Sequence, residues 1–288
     1  TSRDALGLPA RQSRRDRVQG GQQHRRAGGC ASLEAEAQVK LLLLDLETAP
    51  LIVYCWGLFD QNISHEHIVQ DGRVLCYAAK WYGSDEVMFD AEWKSGHAKM
   101  LEGAHRLLSE ADAVIHYNGQ SFDIPTLNAE FLFHKMPPPA PYKQIDLYRV
   151  VKSELRVPSK KLDYIAKRLG RDGKVQTRGM EMWKGCLNND RASQVEMETY
   201  NKGDIRELEG VYESLRPWIR NHPNHGLYDE PGLPVCPKCG SGHLQRRGYA
   251  HTPLNKFARY RCMGCGAWSR EAITELPKED RQNIMRIA

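Results

Sequence analysis

The feature that most constrains this chain is the stretch from Leu41 to Glu47, LLLLDLE, in which four leucines run straight into two acidic residues. An uninterrupted apolar run of this kind predicts a buried strand. A carboxylate at the end of a buried strand is costly unless it has a partner. Asp45 and Glu47 are two residues apart and therefore share one face of the strand. The pair predicts a bound cation, although an Asp-x-Glu alone also fits a solvated strand end.

Two later segments place further acidic residues at the boundaries of predicted elements. In HYNGQSFDIPTLN a strand ends at Asn118 and Asp123 opens a helix, where it fits an N-cap as well as a cation ligand. In YNKGDIRELEGVY, Tyr200 and Asp204 are four residues apart on a predicted helix and share a face. The alternative for this second segment is an exposed helix with ordinary i,i+4 contacts.

The order of predicted elements indicates an α/β protein. Strands are predicted early, over 39–48, 51–59 and 74–82, with Cys55 and Trp56 as core residues. Strands and helices then alternate, ending in a long helix over about 191–216. This order is typical of a mixed sheet packed with helices.

Charge is distributed unevenly along the 288 residues. Residues 1–30 hold seven Arg against two acidic residues, and residues 234–288 hold ten Lys and Arg against four. The centre, 31–233, is acidic, with 24 basic against 30 acidic residues. Acidic residues that hold cations, flanked by basic ends that grip phosphates, are typical of enzymes acting on nucleic acid. A soluble protein with a basic tail is the alternative.

Two Cys-x-x-Cys pairs, Cys236 with Cys239 and Cys262 with Cys265, are separated by 22 residues. This spacing predicts one structural Zn²⁺ held by four thiolates. The intervening hairpin mixes basic and aromatic residues, which favours contact with single-stranded nucleic acid over protein docking or a purely stabilising role. The candidate contacts in this hairpin are Arg246, Arg247, Arg259 and Arg261.

Three motifs follow one another along the chain: Asp45-x-Glu47, Asn118-x-x-x-Phe122-Asp123 and Tyr200-x-x-x-Asp204. Their order and spacing resemble the three exonuclease motifs of the ribonuclease H-like, DnaQ-type superfamily, in its tyrosine-bearing branch. The layout with a zinc-ribbon-like tail is similar to exonuclease-like proteins of bacteriophages. The resemblance implies a five-stranded mixed sheet flanked by helices, plus a small C-terminal zinc-ribbon β domain. It also implies 3′–5′ hydrolysis of nucleic acid.

The resemblance further implies a role for each acidic residue around two Mg²⁺ or Mn²⁺ ions. Asp45 would bridge both ions, and Glu47 and Asp204 would hold the one that activates the attacking water. Asp123 would hold the second ion, at the leaving 3′-oxygen, and the Tyr200 hydroxyl would orient the water. The expected substrate contacts outside the hairpin are Thr48, Asn118, Phe122 and Lys161.

We therefore expect a basic, flexible arm over 1–38, an exonuclease domain over 39–220, a linker over 221–234 and a zinc ribbon with a tail over 235–288. The expected partners are single-stranded DNA or a duplex 3′ end, and a replication or repair protein in trans. No membrane association is expected, and the cysteine usage favours a reducing cytoplasm, that of a bacterial host if the chain is phage-encoded. The alternatives are a non-catalytic nucleic-acid-binding adaptor, and an endonuclease or RNA-processing enzyme of the same fold.

Overall fold

Ten strands and seven α-helices build the part of the chain that the structure describes, residues 39–228 and 232–285 of a computed structural model. The predicted arm over 1–38 lies outside the described residues. The strands are β1 (Leu41–Thr48), β2 (Ile52–Val53), β3 (Ile68–Gln70), β4 (Val74–Trp81), β5 (Met88–Ala91), β6 (Ala113–His116), β7 (Lys143–Asp146), β8 (Leu244–His251), β9 (Lys256–Cys262) and β10 (Trp268–Arg270). The helices are α1 (His97–Glu110), α2 (Asp123–Phe133), α3 (Leu147–Glu154), α4 (Leu162–Arg168), α5 (Met180–Leu187), α6 (Arg191–Leu215) and α7 (Lys278–Gln282).

The strand with the leucine run lies at the centre of a five-stranded sheet of order β5-β4-β1-β6-β7. Strand β1 pairs antiparallel with β4 and parallel with β6, and β7 continues the parallel side. The predicted five-stranded mixed sheet flanked by helices is therefore confirmed. No described helix combines the length and the apolar character that crossing a bilayer requires.

Consecutive leucines in β1 are all buried because both faces of the sheet are covered. Leu42 and Leu44 pack in a cluster with residues of α1 and α2. Leu41 and Leu43 point the other way, into a cluster with residues of α6, α3 and α4. Since side chains alternate along a strand, Asp45 lies on the same side as Leu43 and faces α6. The leucines thus decide which helix the acidic residues meet.

The sequence-based prediction of a strand over 51–59 is wrong. Only Ile52 and Val53 are in a strand, paired with β3 outside the main sheet. Cys55 is exposed and the Trp56 side chain is 96% exposed, so neither is a core residue. An apolar run indicates burial only if another layer covers it, and no described element covers this one.

The C-terminal cysteines belong to a separate three-stranded sheet of order β10-β9-β8. Among the described residues, hydrogen bonds tie the loop of the first cysteine pair, which leads into this sheet, to the preceding residues. Lys238 Nζ donates to the carbonyl oxygen of Pro217 at 2.5 Å, and the N–H of His225 donates to the carbonyl oxygen of Pro237 at 3.0 Å. The boundaries drawn at 220 and 234 stay a prediction.

Candidate active site

Asp45, Glu47 and Asp204 form a cluster in which one carboxylate oxygen from each lies within 4.8 Å of the others. Strand β1 supplies the first two from one face, and α6 supplies Asp204 from the helix packed on that face. Asp204 is separated from the other two by more than 150 positions in sequence, so only the packing of α6 on β1 brings it to them. The structure thus places three of the four predicted carboxylates at one point.

Burial and mutual repulsion disfavour the ionised forms of these groups. Burial raises the pKa of Asp45 well above its ordinary value, and the charges of the neighbouring carboxylates raise it further. Burial also raises the pKa of Glu47 to about 8, although the positive charge of Lys174 opposes this shift. The pKa of Asp204 is raised for the same reason and against the same opposition. Such a cluster becomes more stable when a cation compensates its charge.

The donor set fits hard divalent cations. Asp204 is 1% exposed, and its Oδ1 has no hydrogen-bond partner among the described residues. An orphaned, buried carboxylate oxygen beside two further carboxylates offers the all-oxygen ligands that Mg²⁺ and Mn²⁺ prefer. One ammonium group, that of Lys174, is the compensating charge in contact with Asp204. It cannot balance the cluster alone.

Asp123, the fourth predicted carboxylate, lies beside the cluster but is not part of it. It is the first residue of α2, and its side chain does not cap that helix. Instead Oδ1 accepts a hydrogen bond from the N–H of Leu46 at 3.1 Å, which ties α2 to β1. Burial raises the pKa of Asp123 to about 6. The N-cap interpretation was wrong because the side chain turns towards β1.

Tyr200 lies one helical turn before Asp204 on α6, as predicted. Its hydroxyl accepts a hydrogen bond from Lys174 Nζ at 3.0 Å. Its ring packs edge-on against that of Trp183 in α5, with 6.2 Å between the ring centres. Burial raises the pKa of Tyr200 to about 12, and the charge of Asp204 adds to this shift. The hydroxyl therefore keeps its proton at neutral pH and can orient a polar group by hydrogen bonding.

Sequence reasoning missed three residues that organise the site. Lys174 contacts Asp204, and Asn201 donates from Nδ2 to Asp45 Oδ2 at 2.7 Å. Asp146 accepts from the N–H of Asn118 at 2.9 Å and also caps α3. The spacing of Asn201, three residues before Asp204 on one helix, could have identified it. No sequence signal singles out Lys174, which lies in an irregular loop.

The predicted substrate contacts line two grooves. Asn118 and Lys161 lie in a groove of about 730 Å³ that also contains Asp45 and Lys174. Asn118 has a left-handed backbone, with φ of 66°, which Asn tolerates better than most residues. Thr48 and the half-exposed Phe122 line a neighbouring groove of about 480 Å³. The role of these residues in substrate binding stays a prediction.

The four C-terminal cysteines lie together as predicted. Cys236 Sγ is 3.7 Å from Cys265 Sγ, and Cys239 Sγ is 3.6 Å from Cys262 Sγ. Thiolates on zinc, with bonds of about 2.3 Å, stand about 3.8 Å apart in a tetrahedron. Burial opposes ionisation of Cys262, but backbone N–H groups outweigh it and lower the pKa of this thiol to about 7. The cluster is compatible with a zinc ribbon.

The four hairpin arginines differ in how far they are already engaged. Arg246 forms an ion pair with Glu275. Arg259 lies over the ring of Trp268, with 4.9 Å from its guanidinium carbon to the ring centre. Arg247 bonds Gln245, and Arg261 is exposed on β9. The guanidinium groups of Arg247 and Arg261 form no ion pair with an acidic residue among the described residues.

Comparison with known proteins matches the chain to a family model and to solved structures. The family model described as the RNase_H superfamily matches residues 69–216, a span that includes Asp123 and Asp204 but begins after β1. The family B DNA polymerase from the hyperthermophilic archaeon Pyrobaculum calidifontis is a structural neighbour, with a TM-score of 0.48 and 20% identity over 62% of this chain. The chain spans only 25% of the length of that polymerase. No curated protein matches the sequence.

Proposed function

The chain belongs to the RNase H superfamily, and we propose that it is a divalent-metal-dependent nuclease that removes nucleotides from the 3′ end of nucleic acid, with DNA the favoured substrate. The observation that carries the proposal is the meeting of Asp45, Glu47 and Asp204 within 4.8 Å beside the orphaned oxygen of Asp204. The 3′–5′ direction is supported by the order of the three exonuclease-like motifs along the chain.

Each residue has a defined task in this proposal. Asp45, Glu47, Asp204 and the adjacent Asp123 would hold two Mg²⁺ or Mn²⁺ ions. Such an ion pair supplies an activated water and stabilises charge on the leaving oxygen. The hydroxyl of Tyr200, protonated at neutral pH, orients the attacking water by hydrogen bonding.

The surroundings of the cluster keep this chemistry specific. Asn201 holds Asp45 in place, and the Leu46 N–H holds Asp123. Asn118 and Lys161 line the groove that leads to Asp45, where they can contact a nucleotide and its phosphate. The zinc ribbon supplies Arg247 and Arg261, which bind the nucleic-acid strand outside the carboxylate cluster. A replication or repair protein as partner, and a reducing cytoplasm as setting, belong to the same proposal.

Digestion of end-labelled DNA and RNA, single- and double-stranded, tests the proposal with Mg²⁺, with Mn²⁺ and with neither. We expect stepwise loss of nucleotides from 3′ ends, abolished in Asp45→Asn and retained in Asp85→Asn, which removes an exposed carboxylate. The cleavage rate of Asp45→Asn should fall by more than about 100-fold, since mutation of a residue that only orients a metal ligand already lowers affinity or activity by about 10–100-fold.

Four results would contradict the proposal in different ways. Cleavage that persists in Asp45→Asn would separate the activity from the cluster. Internal cleavage of a circular substrate would indicate an endonuclease, and cleavage of RNA alone an RNA-processing enzyme. Tight binding without any cleavage would support the non-catalytic adaptor.

A further inference from the structure

A second group of metal-ligating side chains lies between α1 and α2 and uses none of the carboxylates described above. His97 begins α1, while Glu130 and His134 are four residues apart at the end of α2. One ligand atom from each lies within 4.8 Å of the other two. His97 Nε2 is 3.2 Å and His134 Nε2 is 3.6 Å from the same oxygen, Glu130 Oε2.

These separations are those of ligands that share one small cation. Around a tetrahedral zinc, nitrogen and oxygen ligands at about 2.0–2.1 Å stand about 3.3–3.4 Å apart. The two distances to Glu130 Oε2 bracket that value. Without a metal ion, the two ring nitrogens could face this one carboxylate oxygen favourably only if both carried an N–H and both donated to it.

The ligand atoms are held in position by a second layer of contacts. Glu130 Oε1 accepts a hydrogen bond from the N–H of Val74 at 2.8 Å, which leaves Oε2 directed at the histidines. The other ring nitrogen of His97, Nδ1, is buried and faces Glu92 Oε2 at 3.8 Å. Glu92 is itself held by two hydrogen bonds from Arg73, at 2.7 and 2.9 Å. A carboxylate behind a ligating histidine is the usual way that proteins orient such a ligand.

The site is open on one side. The His134 side chain is 41% exposed, whereas that of Glu130 is 12% exposed. Glu130 also lines the groove that contains Thr48 and Phe122. Three protein ligands with one accessible position leave room for a water molecule as fourth ligand.

We propose that His97, Glu130 and His134 bind a borderline divalent metal ion, of which Zn²⁺ is the type, with one coordination position open to solvent. Imidazole nitrogens select Zn²⁺ and related transition metals over Mg²⁺ and Ca²⁺. The bound ion links the start of α1 to the end of α2, the helix that begins with Asp123. The proposal does not depend on the nuclease activity.

Metal content measured on the full chain tests this proposal. The protein is dialysed to equilibrium against buffered free Zn²⁺, and zinc per chain is determined by mass spectrometry. We expect one equivalent more than the cysteine site holds, and loss of that equivalent in both His97→Gln and His134→Gln. His65→Gln, which changes an exposed histidine outside the cluster, should retain it. Asp204→Asn should retain it too, since it alters only the active-site carboxylates.

Unchanged zinc content in both histidine variants would overturn the proposal, and so would loss of the extra equivalent in Asp204→Asn. A titration of the wild type with Co²⁺ decides the matter even if a histidine variant folds poorly. Cobalt on thiolates absorbs in the near ultraviolet, whereas cobalt on nitrogen and oxygen ligands absorbs only in the visible. The second equivalent should therefore add visible absorption alone. A second equivalent without any new visible band would count against the site.

Discussion

The ammonium group of Lys174 lies 2.5 Å from Asp204 Oδ2 and donates to the hydroxyl of Tyr200 at 3.0 Å. The loop that carries it is anchored, because the backbone N–H of Lys174 donates to Asp163 Oδ1 at 2.9 Å. Burial lowers the pKa of Lys174, but the charge of Asp204 and their hydrogen bond outweigh it and raise the pKa overall. A positive charge thus stands where the carboxylates would otherwise receive a cation.

Replacing Lys174 by Met should therefore strengthen the binding of Mn²⁺ to the free protein. The ammonium competes with the ion for Asp204, and its removal leaves that carboxylate uncompensated. A partly exposed ion pair contributes up to about 1 kcal/mol, so an increase in affinity of about fivefold is expected. Mn²⁺ binding is followed by electron paramagnetic resonance on zinc-loaded protein without substrate. Lys184→Met, which breaks an exposed pair with Glu181, is the matched control. Weaker Mn²⁺ binding in Lys174→Met would show that this lysine supports the metal site rather than competing with it.

Removing the amide of Asn201 should weaken metal binding and catalysis together. Asn201 is fully buried and its Nδ2 orients Asp45 through a hydrogen bond of 2.7 Å. Residues that orient a metal ligand typically contribute 10–100-fold in affinity or activity. We expect Asn201→Ala to need about 10-fold more Mn²⁺ for half-maximal cleavage, and Asn201→Asp to be still less active, since it adds a carboxylate to the cluster. Normal metal dependence in Asn201→Ala would place Asn201 outside the mechanism.

Thermal stability should depend on pH when Mg²⁺ and Mn²⁺ are absent. Burial raises the pKa of Glu47 to about 8 and that of Asp123 to about 6. The folded protein then binds protons that the unfolded chain releases, so the stability that these two groups contribute is greatest at low pH and is lost as the pH rises through these two values. The melting temperature should fall by several degrees between about pH 5.5 and pH 8.5. Circular dichroism on zinc-loaded protein measures this fall.

Two comparisons assign that pH dependence to the cluster. Glu47→Gln cannot ionise, so its melting temperature should fall less over the same range. Added Mn²⁺ should raise the melting temperature of the wild type most at high pH, where the ligands are ionised. An equal fall in Glu47→Gln and wild type would assign the pH dependence to other groups.

Local sequence patterns were sufficient for the central strand and the cysteine cluster. A run of leucines can be buried only between two layers, and its acidic end is then forced against a helix. The spacing of the four cysteines has few structural uses other than a metal site. In both cases the information lies within one continuous segment of the chain.

Contacts between distant segments could not be predicted in the same way. Lys174 and Asp204 are joined only because the loop before α5 folds back on α6. The apolar run near Trp56 looked like a strand, and its exposure depends on which layers the rest of the chain supplies. The pairing of Arg246 with Glu275 likewise depends on the tertiary fold, and it changes which arginine is available to a ligand.

The hairpin arginines should contribute unequally to nucleic-acid binding. Arg261 is exposed and Arg247 bonds only neutral groups, whereas Arg246 is already neutralised by Glu275. Each cation that meets a phosphate releases a counterion, so Arg261→Ala and Arg247→Ala should each weaken binding of single-stranded DNA. Each should also reduce the slope of log K against log salt by about 0.7–1. Arg246→Ala should change the slope less. Binding is measured by fluorescence anisotropy at several salt concentrations, in Asp45→Asn protein so that the DNA stays intact. Equal slopes for all three variants and the parent would show that these three arginines do not contact phosphate.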